Sequence, residues 1–141
     1  MNTDFLNKGC SCLPYTLAHP LHGMTVQAEN GNWSGAMNYM LDFFETSTMY
    51  LSVVLLAMLK ETEDPQECPE IIKAVNKIDN KRPLSFGDWS QDILTPLAAA
   101  AAQRLEGNVF AQSLNKALAK DKLLIGKKNE RSVIKIRNEY K

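Results

Sequence analysis

One stretch, residues 34–61, limits what this chain folds into more than any other. Met37, Met40, Leu41, Phe44, Thr48, Leu51, Leu55 and Met58 recur at three- and four-residue spacing, which places them on one stripe of an α-helix. Phe43, Val53, Val54 and Leu56 widen that stripe. The pattern predicts a long helix, capped by Ser34 and covered on more than one side. Its most apolar part, residues 49–59, is too short to cross a bilayer, and extending it back to Leu41 takes in Asp42 and Glu45. A buried core helix is therefore expected rather than a membrane span.

The segments around it are expected to surround it with more helices. Pro69 suits the first turn of a second helix, with Ile71, Ile72, Val75 and Ile78 on one face. Residues 80–83 end it, because the residue before Pro83 avoids the helical region. Residues 86–94 read as a short helical segment. Thr95-Pro96 then reads either as a new N-cap with proline at the first position or as a kink in one continuous helix. Residues 98–102 are all alanine, a strong helix former, and Gly107 is a stop. Phe110, Leu114, Ala117 and Leu118 mark a further helix, residues 126–129 a turn, and Val133, Ile136 and Tyr140 a last helix. No segment alternates with period two. The expectation is an all-α bundle of four to five helices over residues 34–141. Residues 1–33, with Gly9, Pro14, Pro20, Gly23 and Gly31, are expected to form an irregular N-terminal arm with room for one short helical turn. The last helix meets the end of the sequence without a stop signal, so the chain is expected to be the N-terminal domain of a larger protein.

Length and composition agree with one domain. The chain has 141 residues, of which 45% are hydrophobic, enough for a real core. Sixteen basic and sixteen acidic residues cancel, so no global charge draws it to nucleic acid or to an anionic membrane. The charge is uneven, however. Residues 120–141 hold eight basic residues against Asp121, Glu130 and Glu139, and residues 61–70 hold five acidic ones. The basic stretch could meet phosphate, such as that of RNA, although a solvated helix face and loop is the better account. Cys10, Cys12 and Cys68 are odd in number, and the first two are too close in sequence for an ordinary bridge. Free thiols and the lack of a signal-peptide pattern point to a cytoplasmic protein without a membrane partner.

Few residues offer chemistry. Cys10, Cys12, His19 and His22 could bind zinc, but the Cys-x-Cys spacing is tight, and no metal or cofactor is expected. Asp42 with Glu45 and Asp88 with Asp92 are carboxylate pairs. Without a Glu-x-x-His companion they read as capping or solvated charge. Glu45 interrupts an apolar neighbourhood and, if buried, requires a partner. There is no phosphate-binding glycine loop, dinucleotide fingerprint or nucleophile elbow. A small-molecule pocket lined by Trp33 or Trp89 is one further option.

The segment from Ser132 to Lys141 carries the sharpest signal, in Arg137 followed by Asn138 on an amphipathic helix. Together with Phe43-Phe44-Glu45 ahead of the apolar run, and Arg82-Pro83-Leu84-Ser85-Phe86-Gly87-Asp88-Trp89, it resembles the HEPN superfamily of helical bundles. The likeness extends across much of residues 36–141, notably to N-terminal domains of bacterial proteins. The family signature is an Arg, usually followed by a polar residue, with a His a few residues later, a position that would fall beyond Lys141. The resemblance implies a homodimer that brings two Arg–His sites together and, in active members, cuts RNA without metal. Arg137 would stabilise charge developing on the phosphate, and Asn138 would orient the site or the helix end. Relatives of this kind also serve as sensor or dimerisation modules joined to downstream domains. A regulatory or interaction module is the leading expectation and a ribonuclease the alternative.

Overall fold

A computed structural model describes Lys8, residues 10–80 and 82–121, Ile136 and Glu139. All regular structure among them is helical, so the fold is all-α as expected. The elements are α1 (Tyr15–Glu29), α2 (Trp33–Thr62), α3 (Pro69–Asp79), a π-helical segment (Asp88–Leu94) leading directly into α4 (Thr95–Arg104), and α5 (Val109–Asp121). The described residues fall into two compact units divided between Ser47 and Thr48, so α2 supplies its first half to one and its second half to the other.

The first unit corrects the expectation of an irregular arm over residues 1–33. Fifteen of those residues form α1. Its start is fixed by the Pro14 carbonyl, which accepts from the backbone N–H groups of Leu17 and Ala18, each at 2.9 Å. Leu17, Pro20, Leu21 and Thr25 are buried along one face, a helical stripe hidden by a proline and a threonine. Pro20 donates no backbone hydrogen bond, a defect of about 3 kcal/mol in a helix interior. Burial of the stripe offsets it. Gly23 is not a breaker either. A Cβ there would lie 2.5 Å from Cε1 of Tyr39, so the missing side chain lets α1 and α2 approach. Gly31, at φ 72°, makes the left-handed turn between the helices. The cap of α2 is Asn32 rather than Ser34. Asn32 Oδ1 accepts from the Gly35 N–H at 3.0 Å, which satisfies one of the helix's orphan donors.

In the second unit α2 buries Thr48, Ser52, Leu55 and Leu59, half-buries Met49, Leu51, Val54, Leu56 and Met58 on either side of them, and leaves Tyr50, Val53 and Ala57 exposed. The helix is thus covered over a broad face, wider than the buried stripe alone, and open on the face that carries Tyr50 and Val53. Of its most apolar 18-residue stretch, 22% is buried, and Tyr50 and Val53 are exposed. At 30 residues and a mean hydropathy of 1.3, α2 is the one helix among the described residues long and apolar enough to cross a membrane, by length and composition alone. The end of α4 is tied to the loop that follows α2. Arg104 pairs with Glu63 at 3.2 Å and donates to the Glu67 carbonyl at 2.8 Å.

α3 begins at Pro69, as its sequence predicts. The helix before α4 is the continuous one. Phe86 and Gly87 open it, and Leu94 and Thr95 keep right-handed helical backbone angles. The Thr95 N–H donates to the Ser90 carbonyl, five residues back. Proline at 96 has no N–H for the carbonyl four residues earlier and would press its ring against it. The wider π-helical turn accommodates that ring. Buried Ser90 and half-buried Thr95 strengthen the turn, their hydroxyls donating to the carbonyls of Phe86 at 2.9 Å and Ser90 at 2.8 Å. α4 packs against α3, the π-segment and α5. Ile71, Phe86, Ile93, Leu94 and Leu97 fill the core, while Ala98, Ala101 and Ala111 keep the α4–α5 contact small. Gly107, at φ 74°, ends the turn after α4, and Asn108 Oδ1 caps α5 by accepting from the Ala111 N–H at 3.0 Å. Of the predicted last helix, Ile136 and Glu139 lie within the described residues, and both are helical.

Candidate functional site

Two polar constellations stand out, one in each unit. In the first unit a groove of about 330 Å³ opens beside the start of α2, lined by Gln27, Asn32, Gly35, Asn38, Tyr39 and Asp42. The turn through Gly31 brings the last residues of α1 over the first turn of α2. There Asn32 Nδ2 donates to Gln27 Oε1 at 2.6 Å. Gly35 is part of this construction, because a Cβ would come within 2.6 Å of Asn32 Nδ2 and 2.8 Å of Gln27 Oε1. Carboxamides, a phenol and a carboxylate offer hydrogen bonds of both senses to a small polar molecule. Tyr39 also meets the His19 ring edge-on at 6.4 Å.

The second constellation joins α3 to the π-segment. Asp88 accepts on Oδ1 from Lys77 at 2.9 Å and from Arg82 at 3.0 Å. Its Oδ2 accepts from the Ser85 N–H at 2.8 Å and the Ser85 hydroxyl at 2.7 Å. Ser85 Oγ in turn accepts from the Asp88 N–H at 3.1 Å. The pair is a reciprocal capping box spelled by Ser85-x-x-Asp88. Lys77 also reaches Asp92 at 2.7 Å. The hydrogen bond from Lys77, then those from Ser85, hold the Asp88 carboxyl well below its ordinary range. Asp92 first, then Asp88, raises Lys77. Asp88 and Asp92 thus act as cap and counter-charge, as their sequence context suggests.

The other candidates are dispersed. Glu45 is half-buried on α2, and Asp42, one turn before it, lines the groove. Cys10 is half-buried, Cys12 exposed, and His19 and His22 exposed. No three metal-ligating side chains gather among the described residues. Trp33 is 71% exposed and Trp89 half-buried, and neither lines the groove. Arg137 and Asn138 lie outside the described residues. Sequence reasoning passed over the amide pair and Lys77. The Asn30-Gly31-Asn32 turn signal could have located the first, and the capping-box spelling the surroundings of the second. No protein-family model matches this chain, and no curated protein or solved structure is significantly similar to it.

Proposed function

We propose that this chain is a regulatory or interaction module of a larger intracellular bacterial protein and that it forms a homodimer through helix faces. The observation that supports this is the incompletely covered apolar surface of α2, open at Tyr50 and Val53. Only 22% of its apolar stretch is buried, and Tyr50 and Val53 are exposed on its second half. Apolar area left in water gains about 25 cal/mol per Å² when an associating surface covers it. A protein surface fits better than lipid, because carboxylates inside a spanning helix are costly and α2 carries Asp42 and Glu45. Sedimentation velocity over a wide concentration range tests the reading. A dimer is expected, with Val53→Glu shifting it to monomer. A wild-type chain that stays monomeric at the highest concentration would sink it.

A second reading is a metal-independent RNA-cleaving HEPN-type domain. The Arg137-Asn138 pair and the basic excess of residues 120–141 favour it. Arg137 would then stabilise the phosphate, with a histidine beyond Lys141 moving the proton. Cleavage of RNA by the larger protein, abolished by Arg137→Ala, is the expected outcome. Cleavage unchanged in that variant removes Arg137 from the mechanism.

A further inference from the structure

We propose that the exposed side of α3, with the acidic loop before it, docks a basic amphipathic helix of a partner protein. The proposal deepens the interaction-module reading and rests on it, but uses a different surface from α2. Ile72, Val75 and Ile78 are 42%, 37% and 38% exposed and border the buried Ile71 and Ala74 on the same helix. At three-residue spacing they form one ridge about 9 Å long, from a rise of 1.5 Å per residue. Large apolar side chains in such a row mark an interaction surface more often than single ones do.

Charge identifies the occupant. Residues 60–80 hold six acidic residues against three lysines, in a chain whose net charge is zero. One of those lysines, Lys77, is engaged by Asp88 and Asp92. Among the acids, Glu63 is engaged by Arg104, and Glu70 accepts from the buried Cys68 thiol at 3.5 Å. Glu61, Asp64 and Glu67 are exposed, and none forms a salt bridge among the described residues, whose other cations in this segment are exposed Lys60 and Lys73. A second copy pairing through this surface would bring carboxylates against carboxylates. A helix with apolar residues every three or four positions and lysines or arginines beside them satisfies both the ridge and the acids.

The test titrates the full chain with a labelled peptide carrying leucines at helical spacing and lysines between them. A twin with glutamates in place of the lysines is titrated in parallel. The lysine peptide is expected to bind, more weakly as salt rises, and the glutamate twin to bind at least about tenfold less well, a difference of 1.4 kcal/mol. Ile72→Ser with Val75→Ser should weaken binding about tenfold, the loss of two apolar anchors, and Glu61→Gln with Asp64→Asn and Glu67→Gln should reduce the salt dependence. These side chains are exposed, so unchanged circular dichroism and thermal midpoints verify that the variants fold. Equal binding of both peptides, or undiminished binding by the serine variant, overturns the proposal. Sedimentation of the same samples separates the two ideas. A dimer that ignores the lysine peptide defeats only this inference, and a monomer that binds it defeats only self-association through α2.

Discussion

The first unit and the α3–α5 unit are both helical, yet different contacts hold them. In the first, α1 meets α2 through a ring laid on a glycine, a histidine–tyrosine ring contact and a pair of side-chain amides. In the second, fully buried Phe86, Ile93, Leu94 and Leu97 make the core, and Lys77, Arg82 and Arg104 tie segment ends together. Shape complementarity dominates one and burial with charge the other. Pro20 and Gly23, which look like punctuation in sequence, are packing surfaces in the first unit, whereas Pro69 and Gly107 in the second are punctuation.

The largest effect is expected at Gly23, where the first unit depends on shape. Alanine in a helix interior is ordinarily better than glycine by about 1 kcal/mol. Here its Cβ would meet the Tyr39 ring at 2.5 Å, and such overpacking costs about 1–3 kcal/mol. Gly23→Ala is therefore expected to destabilise the protein to urea unfolding. In a Tyr39→Ala background the sign should reverse, because the obstacle is gone and helix propensity remains. Equal effects in the two backgrounds would show that the ring and the glycine are not coupled.

This contrast explains what could be read from the chain. Pro69 at a helix start, Ser85-x-x-Asp88 as a cap and Gly107 as a stop depend on neighbours a few residues away, and each stands where its local pattern points. α1 was concealed because Pro20 and Gly23 are unfavourable locally and justified only by what packs against them. The cap of α2 is Asn32 and not Ser34 because two polar residues two positions apart compete and the Gly31 turn decides. The coverage of α2 depends on which segments reach it, and periodicity does not contain that. For the candidate sites, Asp88 was legible as a capping residue and Asp42 was noticed only as half of a carboxylate pair. The rest of the groove was not legible, since its amides converge only after α1 folds back.

Acid acts on the charged contacts of the second unit. Asp88 is a depressed carboxylate, held down first by Lys77 and then by Ser85. Such a group contributes stability that is fully present above its unfolded value of 3.8 and is lost as pH falls through the folded value. Lys77 is the mirror case. Its raised value contributes fully below 10.5 and fades as pH rises through the folded value. Thermal midpoints of the protein and of Asp88→Asn should differ by a constant amount down to about pH 5 and converge below about pH 4. Parallel curves across that range would remove Asp88 from the acid response. The ring and amide contacts of the first unit should not follow this titration.

The smallest effect lies where the units divide. Ser47 is the last residue of the first unit, and its hydroxyl oxygen is buried without a hydrogen-bond partner among the described residues. Ser52, five residues on, is also buried but donates to the Thr48 carbonyl at 2.7 Å. A buried hydroxyl without a partner loses its water and gains nothing in return. Ser47→Ala removes that loss and adds the helix preference of alanine, so it should stabilise the protein by up to about 1 kcal/mol. Ser52→Ala surrenders a made bond and should not stabilise. Denaturant titration of the two variants side by side decides the matter. If Ser47→Ala destabilises as a typical buried substitution does, its hydroxyl has a partner after all, and α2 is held by polar contacts at the point where it passes from one unit to the other.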